Sequence, residues 1–191
     1  MKAGFDYNGI LIVDKPAGFT SHDVVAKLRG MFKTRRIGHG GTLDPMATGV
    51  LPVFIGGATK AADYAAAQDK SYRAGFQLGF ATDTQDITGS VVRRSDIRVE
   101  EAAVRAALAR FEGKQTQLPP MYSAVQVNGK RLYDLARKGF EVERPAREIS
   151  LSRIALERFD GDAQKGTLLI TCSKGTYVRT IVHDLGVRLG T

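Results

Sequence analysis

The clearest strand pair in the sequence is Ile149-Ser-Leu-Ser-Arg-Ile-Ala-Leu-Glu-Arg-Phe159 with Thr167-Leu-Leu-Ile-Thr-Cys172, joined through Gly161 and Gly166. Short apolar runs separated by glycines read as a β-hairpin. Upstream, Ser71 to Phe80 alternates, with Tyr72, Ala74, Phe76, Leu78 and Phe80 on one face and Ser71, Arg73, Gln77 and two glycines on the other, as a half-buried strand should. Met121 to Val127 reads as a further strand ending at Asn128-Gly129, a hairpin turn signal. Gly9 to Val13 is a strand stopped by Lys15-Pro16-Ala17-Gly18.

Helices are scattered between these strands. Thr20 and Asp23 form a capping box ahead of Val24, Leu28 and Met31 or Phe32 at helical spacing. An Ala-rich helix is expected over about Thr59 to Gln68, and others over Val99 to Phe111 and Arg131 to Lys138. A last helix starts at about Thr176 and buries Val178, Ile181, Val182, Leu185 and Leu189. Ala81 to Ser90 reads as a polar loop. The pattern predicts an α+β protein, a largely antiparallel mixed sheet flanked by helices, with no linker that cuts it into two domains.

Composition sets the outer limits. The 191 residues are 43% hydrophobic and 25% charged, which excludes a disordered chain. Cys172 is the only cysteine, and the histidines are His22, His39 and His183, so neither a disulfide nor a Cys/His metal centre is expected. Ile10 to Val13 is far too short an apolar run for a signal peptide or membrane span, and the expected compartment is the cytoplasm. Lys plus Arg outnumber Asp plus Glu by 28 to 20. From Val24 to Leu43 there is no acidic residue, while Lys27, Arg29, Lys33, Arg35 and Arg36 are basic. Such a cluster suits nucleic-acid phosphates or, equally, a solvated helix face.

The stretch with the most chemical content is Gly38-His39-Gly40-Gly41-Thr42-Leu43-Asp44-Pro45-Met46-Ala47-Thr48-Gly49-Val50-Leu51-Pro52, where four glycines and two prolines surround a single carboxylate. Pro45 restricts the backbone of Asp44 before it. A carboxylate on a stiff loop suits a nucleophile or general base. It also suits a structural turn whose Asp accepts backbone N–H groups. Residue chemistry alone leaves both open.

Gly9-Ile-Leu-Ile-Val-Asp-Lys15-Pro16, the Gly38–Pro52 stretch, Lys70-Ser-Tyr72-Arg and Ser173-Lys-Gly-Thr-Tyr177-Val-Arg179 together resemble the bacterial TruB family of tRNA pseudouridine synthases, in family order and over almost the whole chain. The resemblance implies the pseudouridine synthase catalytic fold and isomerisation of uridine in the TΨC loop of tRNA, position 55 in tRNA nomenclature. It implies no cofactor and no metal, the tRNA T arm as partner, and no membrane or obligate protein partner.

It also implies roles. Asp44 takes the position of the catalytic aspartate, acting as nucleophile or as the base that starts elimination, and Arg179 that of its cationic partner. Independently, a cation in the first turn of a helix opposes the macrodipole and calls for an acidic partner, although an arginine stem covering apolar side chains gives the same pattern. Tyr72 matches the tyrosine lying against the flipped base, yet its strand face with Phe76 and Leu78 equally suits a core tyrosine. His39 and Tyr177 are substrate-binding candidates, as is Lys15, whose motif reads mainly as support beneath the loop. Residues 126–147, including Arg131 and Arg144, resemble the insertion that closes over the T arm. Family members continue beyond the position of Thr191, often into a PUA-type domain, so residues 1–191 are expected to be a C-terminally truncated catalytic domain without PUA. Two rival readings are a guide-dependent synthase of the archaeal and eukaryotic type and a non-catalytic RNA-binding or tRNA-folding module.

Overall fold

The structure, a computed structural model, describes residues 7–191, and the chain divides between Gln68 and Asp69 into two units. The first unit is built from β1 (Gly9–Lys15), α1 (Ser21–Phe32), β2 (Ile37–His39), β3 (Gly49–Ile55), a 3₁₀ turn (Gly56–Ala61) and α2 (Ala62–Ala67). Its strands form an antiparallel sheet in the order β1-β3-β2. The central strand turns Leu51, Val53 and Ile55 toward Val24, Val25 and Leu28 of α1, with Leu11, Val13 and Phe32 completing the core. The expected capping box starts α1: the Thr20 hydroxyl accepts from the Asp23 N–H while the Asp23 carboxylate accepts from the Thr20 N–H. The helix expected over Thr59 to Gln68 begins earlier and as a 3₁₀ turn. There the Thr59 hydroxyl donates to the Gly56 carbonyl at 2.8 Å, a local bond that competes with regular α geometry.

Alternation along β1 carries Leu11, Val13 and Lys15 to the same inner face. Lys15 is therefore driven inward and is fully buried. Its ammonium has three donors, and it donates to three carbonyls: Pro16 at 2.9 Å, Phe19 at 2.5 Å and Pro45 at 3.2 Å. Burial pulls its pKa below the ordinary lysine value, opposed by the charges of Asp44 and then Asp23.

The second unit contains β4 (Lys70–Gln77), β5 (Phe80–Thr82), β6 (Val91–Arg94), α3 (Glu101–Leu108), β7 (Gly113–Gln117), β8 (Gln126–Val127), β9 (Lys130–Arg131), α4 (Leu132–Ala136), β10 (Arg147–Asp160), β11 (Lys165–Cys172) and α5 (Val178–Leu189). The main sheet runs β4-β11-β10-β7, antiparallel throughout. The hairpin of β10 and β11 forms as expected, and its inner face (Ile149, Leu151, Ile154, Leu156, Leu168, Ile170) packs with Val104 and Leu108 of α3 and Ile181 and Leu185 of α5.

Three expectations differ in detail. The strand expected to reach Phe80 stops at Gln77, because Gly79 takes φ +97° and turns the chain. The expected polar loop 81–90 is partly a hairpin, β5 with β6. Most of the strand expected over Met121 to Val127 is irregular, and only Gln126–Val127 pairs, across the Asn128-Gly129 turn with both residues at positive φ. Edge strand β7 forms instead over Gly-Lys-Gln-Thr-Gln, which has no apolar alternation to announce it.

Lys15→Met should remove a charge-assisted hydrogen-bond set from a buried site and leave three carbonyls short of a donor. The expected loss is about 2–3 kcal/mol of unfolding free energy. Urea titration followed by circular dichroism reads it; an unchanged midpoint and slope would contradict the clamp.

Candidate active site

In the first unit, the Gly38–Pro52 loop is fixed at both ends and in the middle. Gly38 and His39 lie in β2, and the Gly40 N–H donates to the Pro52 carbonyl at 2.9 Å. A Cβ on Gly40 would come within 3.0 Å of both Ala65 Cβ and the Phe54 ring, so this position needs glycine for close approach. The Leu43 N–H donates to buried Ser21 Oγ at 2.9 Å, in the first turn of α1. The Ala47 N–H donates to the Asp44 carbonyl at 3.0 Å, closing a turn around Pro45. The Pro45 carbonyl accepts from Gly18 N–H at 2.8 Å and from Lys15.

Asp44 is thus held on a turn tied to α1, β1 and β3, with its side chain partly buried. The buried Lys15 ammonium interacts electrostatically with it, and a cation nearby favours the ionised carboxylate. His39 is half-buried; burial lowers its pKa below the ordinary histidine value, more than contact with the Gly41 backbone raises it. A neutral imidazole at physiological pH offers a flat aromatic face rather than a charge.

In the second unit, Arg179 occupies the first turn of α5 and is mostly buried. Its guanidinium meets the Asp86 carboxylate at 3.5 Å, donates to the Tyr122 carbonyl at 2.6 Å and lies over the Tyr177 ring, 5.8 Å from its centroid. The acidic partner found within the unit is therefore Asp86, whereas Asp44 belongs to the other unit. Asp86 Oδ1 accepts from the Thr84 hydroxyl at 2.9 Å and from the Thr88 N–H and hydroxyl at 2.9 and 2.5 Å. Burial pushes this carboxyl up, but the bonds from Thr88 and Thr84 and the Arg179 charge together hold it below its ordinary value.

The ends of the segment around Tyr177 are equally constrained. Gln117, buried on β7, accepts from the Tyr177 N–H at 2.8 Å and donates to its carbonyl at 3.1 Å. Tyr72 sits on β4 opposite Ile170 and packs partly buried against the core of its unit.

Of the three basic candidates for RNA contact, two are tied into the fold and one is exposed. Lys15 has no exposed surface and holds the loop from beneath through the Pro45 carbonyl. Arg144 donates to the Pro119 and Val142 carbonyls at 2.6 and 3.2 Å with its side chain 11% exposed; it braces its loop with donors a phosphate would need. Arg131 is exposed on β9, beside the Tyr133 ring. Sequence reasoning missed Asp86 and Gln117. The signal for Asp86 was present in Thr84-Gln-Asp86-Ile-Thr88, a carboxylate flanked by hydroxyls two residues away on either side, a pattern that bonds locally. Gln117 gave none, being one polar residue in a polar strand.

Asp86→Asn should cost about 3 kcal/mol at pH 7, because the mostly buried Arg179 loses the opposite charge of this carboxylate. A depressed native pKa means that the contribution is complete above the ordinary value of 3.8 and is lost as pH falls through the lower native value. The gap between wild type and variant should therefore narrow between pH 5 and pH 2.5 in urea unfolding. An equal gap across that range would contradict the assigned ionisation.

Comparison with known proteins agrees with this arrangement of motifs. Residues 29–178 match the family described as TruB family pseudouridylate synthase (N terminal domain). The chain is 48% identical over 188 residues to tRNA pseudouridine synthase B of Bacillus subtilis (strain 168), covering 96% of this chain and 61% of that protein. It is 50% identical over 184 residues to tRNA pseudouridine synthase B of Geobacter sulfurreducens, covering 96% and 60%. The chain thus spans about three fifths of these curated relatives. Among solved structures, a Cbf5-Nop10-Gar1 complex matches with TM-score 0.72 and 28% identity over 98% of this chain and 46% of that one. The archaeal box H/ACA sRNP Nop10-Cbf5 complex matches with TM-score 0.68 and 27% identity over 98% and 44%. With its four motifs in order and most of its length within the family match, the chain belongs to the TruB family of pseudouridylate synthases and carries their N-terminal domain.

Proposed function

We propose that this protein isomerises uridine to pseudouridine in the T arm of tRNA, with Asp44 as the catalytic carboxylate. The observation that carries the reading is the Asp44 turn itself. A single carboxylate in a glycine-rich loop is anchored by the buried Lys15 ammonium, the Ser21 hydroxyl and three main-chain bonds. Rigid presentation of one charged group suits a reaction in which that group must meet one ribose or base atom in fixed geometry.

The chemistry balances without redox change. The bond between base nitrogen 1 and ribose carbon 1′ breaks, the base turns, and carbon 5 bonds to carbon 1′. The proton on carbon 5 departs and nitrogen 1 gains one. Asp44 opens this sequence in its ionised form, as nucleophile or as base, and the nearby Lys15 charge favours that form. Arg179, braced by Asp86 and the Tyr122 carbonyl, is the further cation proposed to pair with Asp44. Tyr72 and His39 supply aromatic faces for a base withdrawn from the RNA stack, since the target atom is inaccessible within it.

The relatives named tRNA pseudouridine synthase B, at 48–50% identity, favour tRNA as substrate over the guide-directed reading, whose Cbf5 structures share 27–28%. The test is tritium release from T-arm RNA carrying uridine labelled at carbon 5. Wild type should release tritium, and Asp44→Asn should fall by about 10³-fold or more while binding RNA as wild type does. Equal release by the variant would remove Asp44 from the chemistry; no release by either, with intact RNA binding, would favour a non-catalytic binder. In the same assay Tyr72→Phe should hold RNA as wild type does and Tyr72→Leu should weaken it roughly tenfold. Equal affinity of both would return Tyr72 to the core.

A further inference from the structure

We infer that the connection between α1 and β2 is a phosphate-gripping surface, on which Lys33, Arg35 and Arg36 hold the RNA backbone beside the Asp44 loop; this rests on the proposed action on RNA. The second unit partners many of its cations internally: Arg73 with Glu157, Arg98 with Asp162, Arg105 with Glu101, Lys114 with Glu148, Arg144 with Glu141 and Arg179 with Asp86. The α1–β2 connection does the opposite. Lys33, Arg35 and Arg36 are exposed, and no ion pair involves them among the described residues. No acidic residue occurs between Val24 and Leu43 to neutralise them. Three like charges within four residues repel one another, a cost that an external polyanion removes.

The backbone beneath these charges is fixed before any partner arrives. Lys33 ends α1 in the left-handed conformation, with φ 50°. The Arg36 N–H donates to Thr34 Oγ1 at 3.3 Å, and the Ile37 N–H donates to the Arg35 carbonyl at 2.9 Å. From outside the turn, Arg29 donates to the Ile37 carbonyl at 3.0 Å and the Gly56 N–H to the Arg36 carbonyl at 2.7 Å. Arg29 is thereby tied into the fold, and Lys27 lies over the Phe19 ring at 5.7 Å; the other three cations face solvent from a rigid turn. Preorganised cations cost less to order on binding.

Position within the chain identifies the occupant. β2 continues directly from Arg36 through Ile37 and Gly38 to His39. At a strand rise of about 3.3 Å per residue, Arg36 and His39 are separated by roughly 10 Å of strand. Side chains three residues apart on a strand point to opposite faces, so these cations border the strand that leads into the Asp44 loop and would meet backbone flanking the bound base rather than the base itself. A membrane fits poorly, since Met31 is the one large apolar side chain exposed on this stretch and interfacial binding needs an apolar face.

The test measures affinity of the 191-residue chain for a fluorescein-labelled T-arm hairpin by anisotropy, between 50 and 200 mM KCl. Replacing Lys33, Arg35 and Arg36 together by Gln should weaken binding at least tenfold at 100 mM salt. It should also reduce the slope of log affinity against log salt by about 2–3, since each phosphate contact contributes about 0.7–0.9. Arg98→Gln should keep the wild-type slope, and circular dichroism confirms that each variant is folded. A wild-type slope in the triple variant overturns the proposal, as does a wild-type chain that binds phosphatidylserine vesicles but not the hairpin, or neither. Affinity is read without turnover. A reduced slope with no tritium release from wild type would defeat the isomerase reading and leave this surface standing; an unchanged slope with normal release would defeat only the surface.

Discussion

The ammonium of Lys15 ends a strand whose alternation leaves it no direction but inward, and three carbonyls receive it there. Two of them belong to the Pro16–Phe19 turn and the third to Pro45, next to Asp44. One side chain thus ties the exit of β1, the entry to α1 and the carboxylate turn into one body. The arrangement costs desolvation of a full charge, which the fold offsets by filling all three donors. Its electrostatic return falls on Asp44, the nearby carboxylate whose charge most strongly opposes the downward pull of burial on the lysine. The ammonium that holds the turn through the Pro45 carbonyl also places a positive charge near the carboxylate that the turn presents.

The second unit solves the corresponding problem with an arginine. Arg179 lies where the helix dipole opposes it, and the unit compensates with Asp86, the Tyr122 carbonyl and the Tyr177 ring. Asp86 is in turn steadied by Thr84 and Thr88 and Tyr177 by Gln117. In both units a buried charge is fixed by local main-chain and hydroxyl groups rather than by long side chains at the surface. That choice confers geometric definition rather than net stability.

The sequence discloses these features unequally, for physical reasons. The hairpin of β10 and β11, the capping box of α1 and the buried stripe of α5 all follow from apolar periodicity or a named capping pair, and each is found close to its expected position. Strand β7 is polar and pairs on one side only, so no periodicity marks it. The Asp44 loop is conspicuous in composition, but its glycines do not distinguish a catalytic turn from a structural one, and the catalytic role proposed for it comes from the resemblance of motifs across the chain. Arg179 announces the need for a carboxylate without naming it. Asp86 is 93 residues away in sequence, and only three-dimensional structure joins them.

If Lys15 and its neighbours hold the Asp44 turn rigid before substrate binds, amide hydrogen exchange on the free protein will show it. The amides to follow are those of Gly18, Leu43 and Ala47, which bond to the Pro45 carbonyl, Ser21 Oγ and the Asp44 carbonyl. Protection approaching that of the central strand β3 is the predicted result. Exchange of all three at the rate of an unstructured loop, with β3 still protected, would mean that the turn is not held.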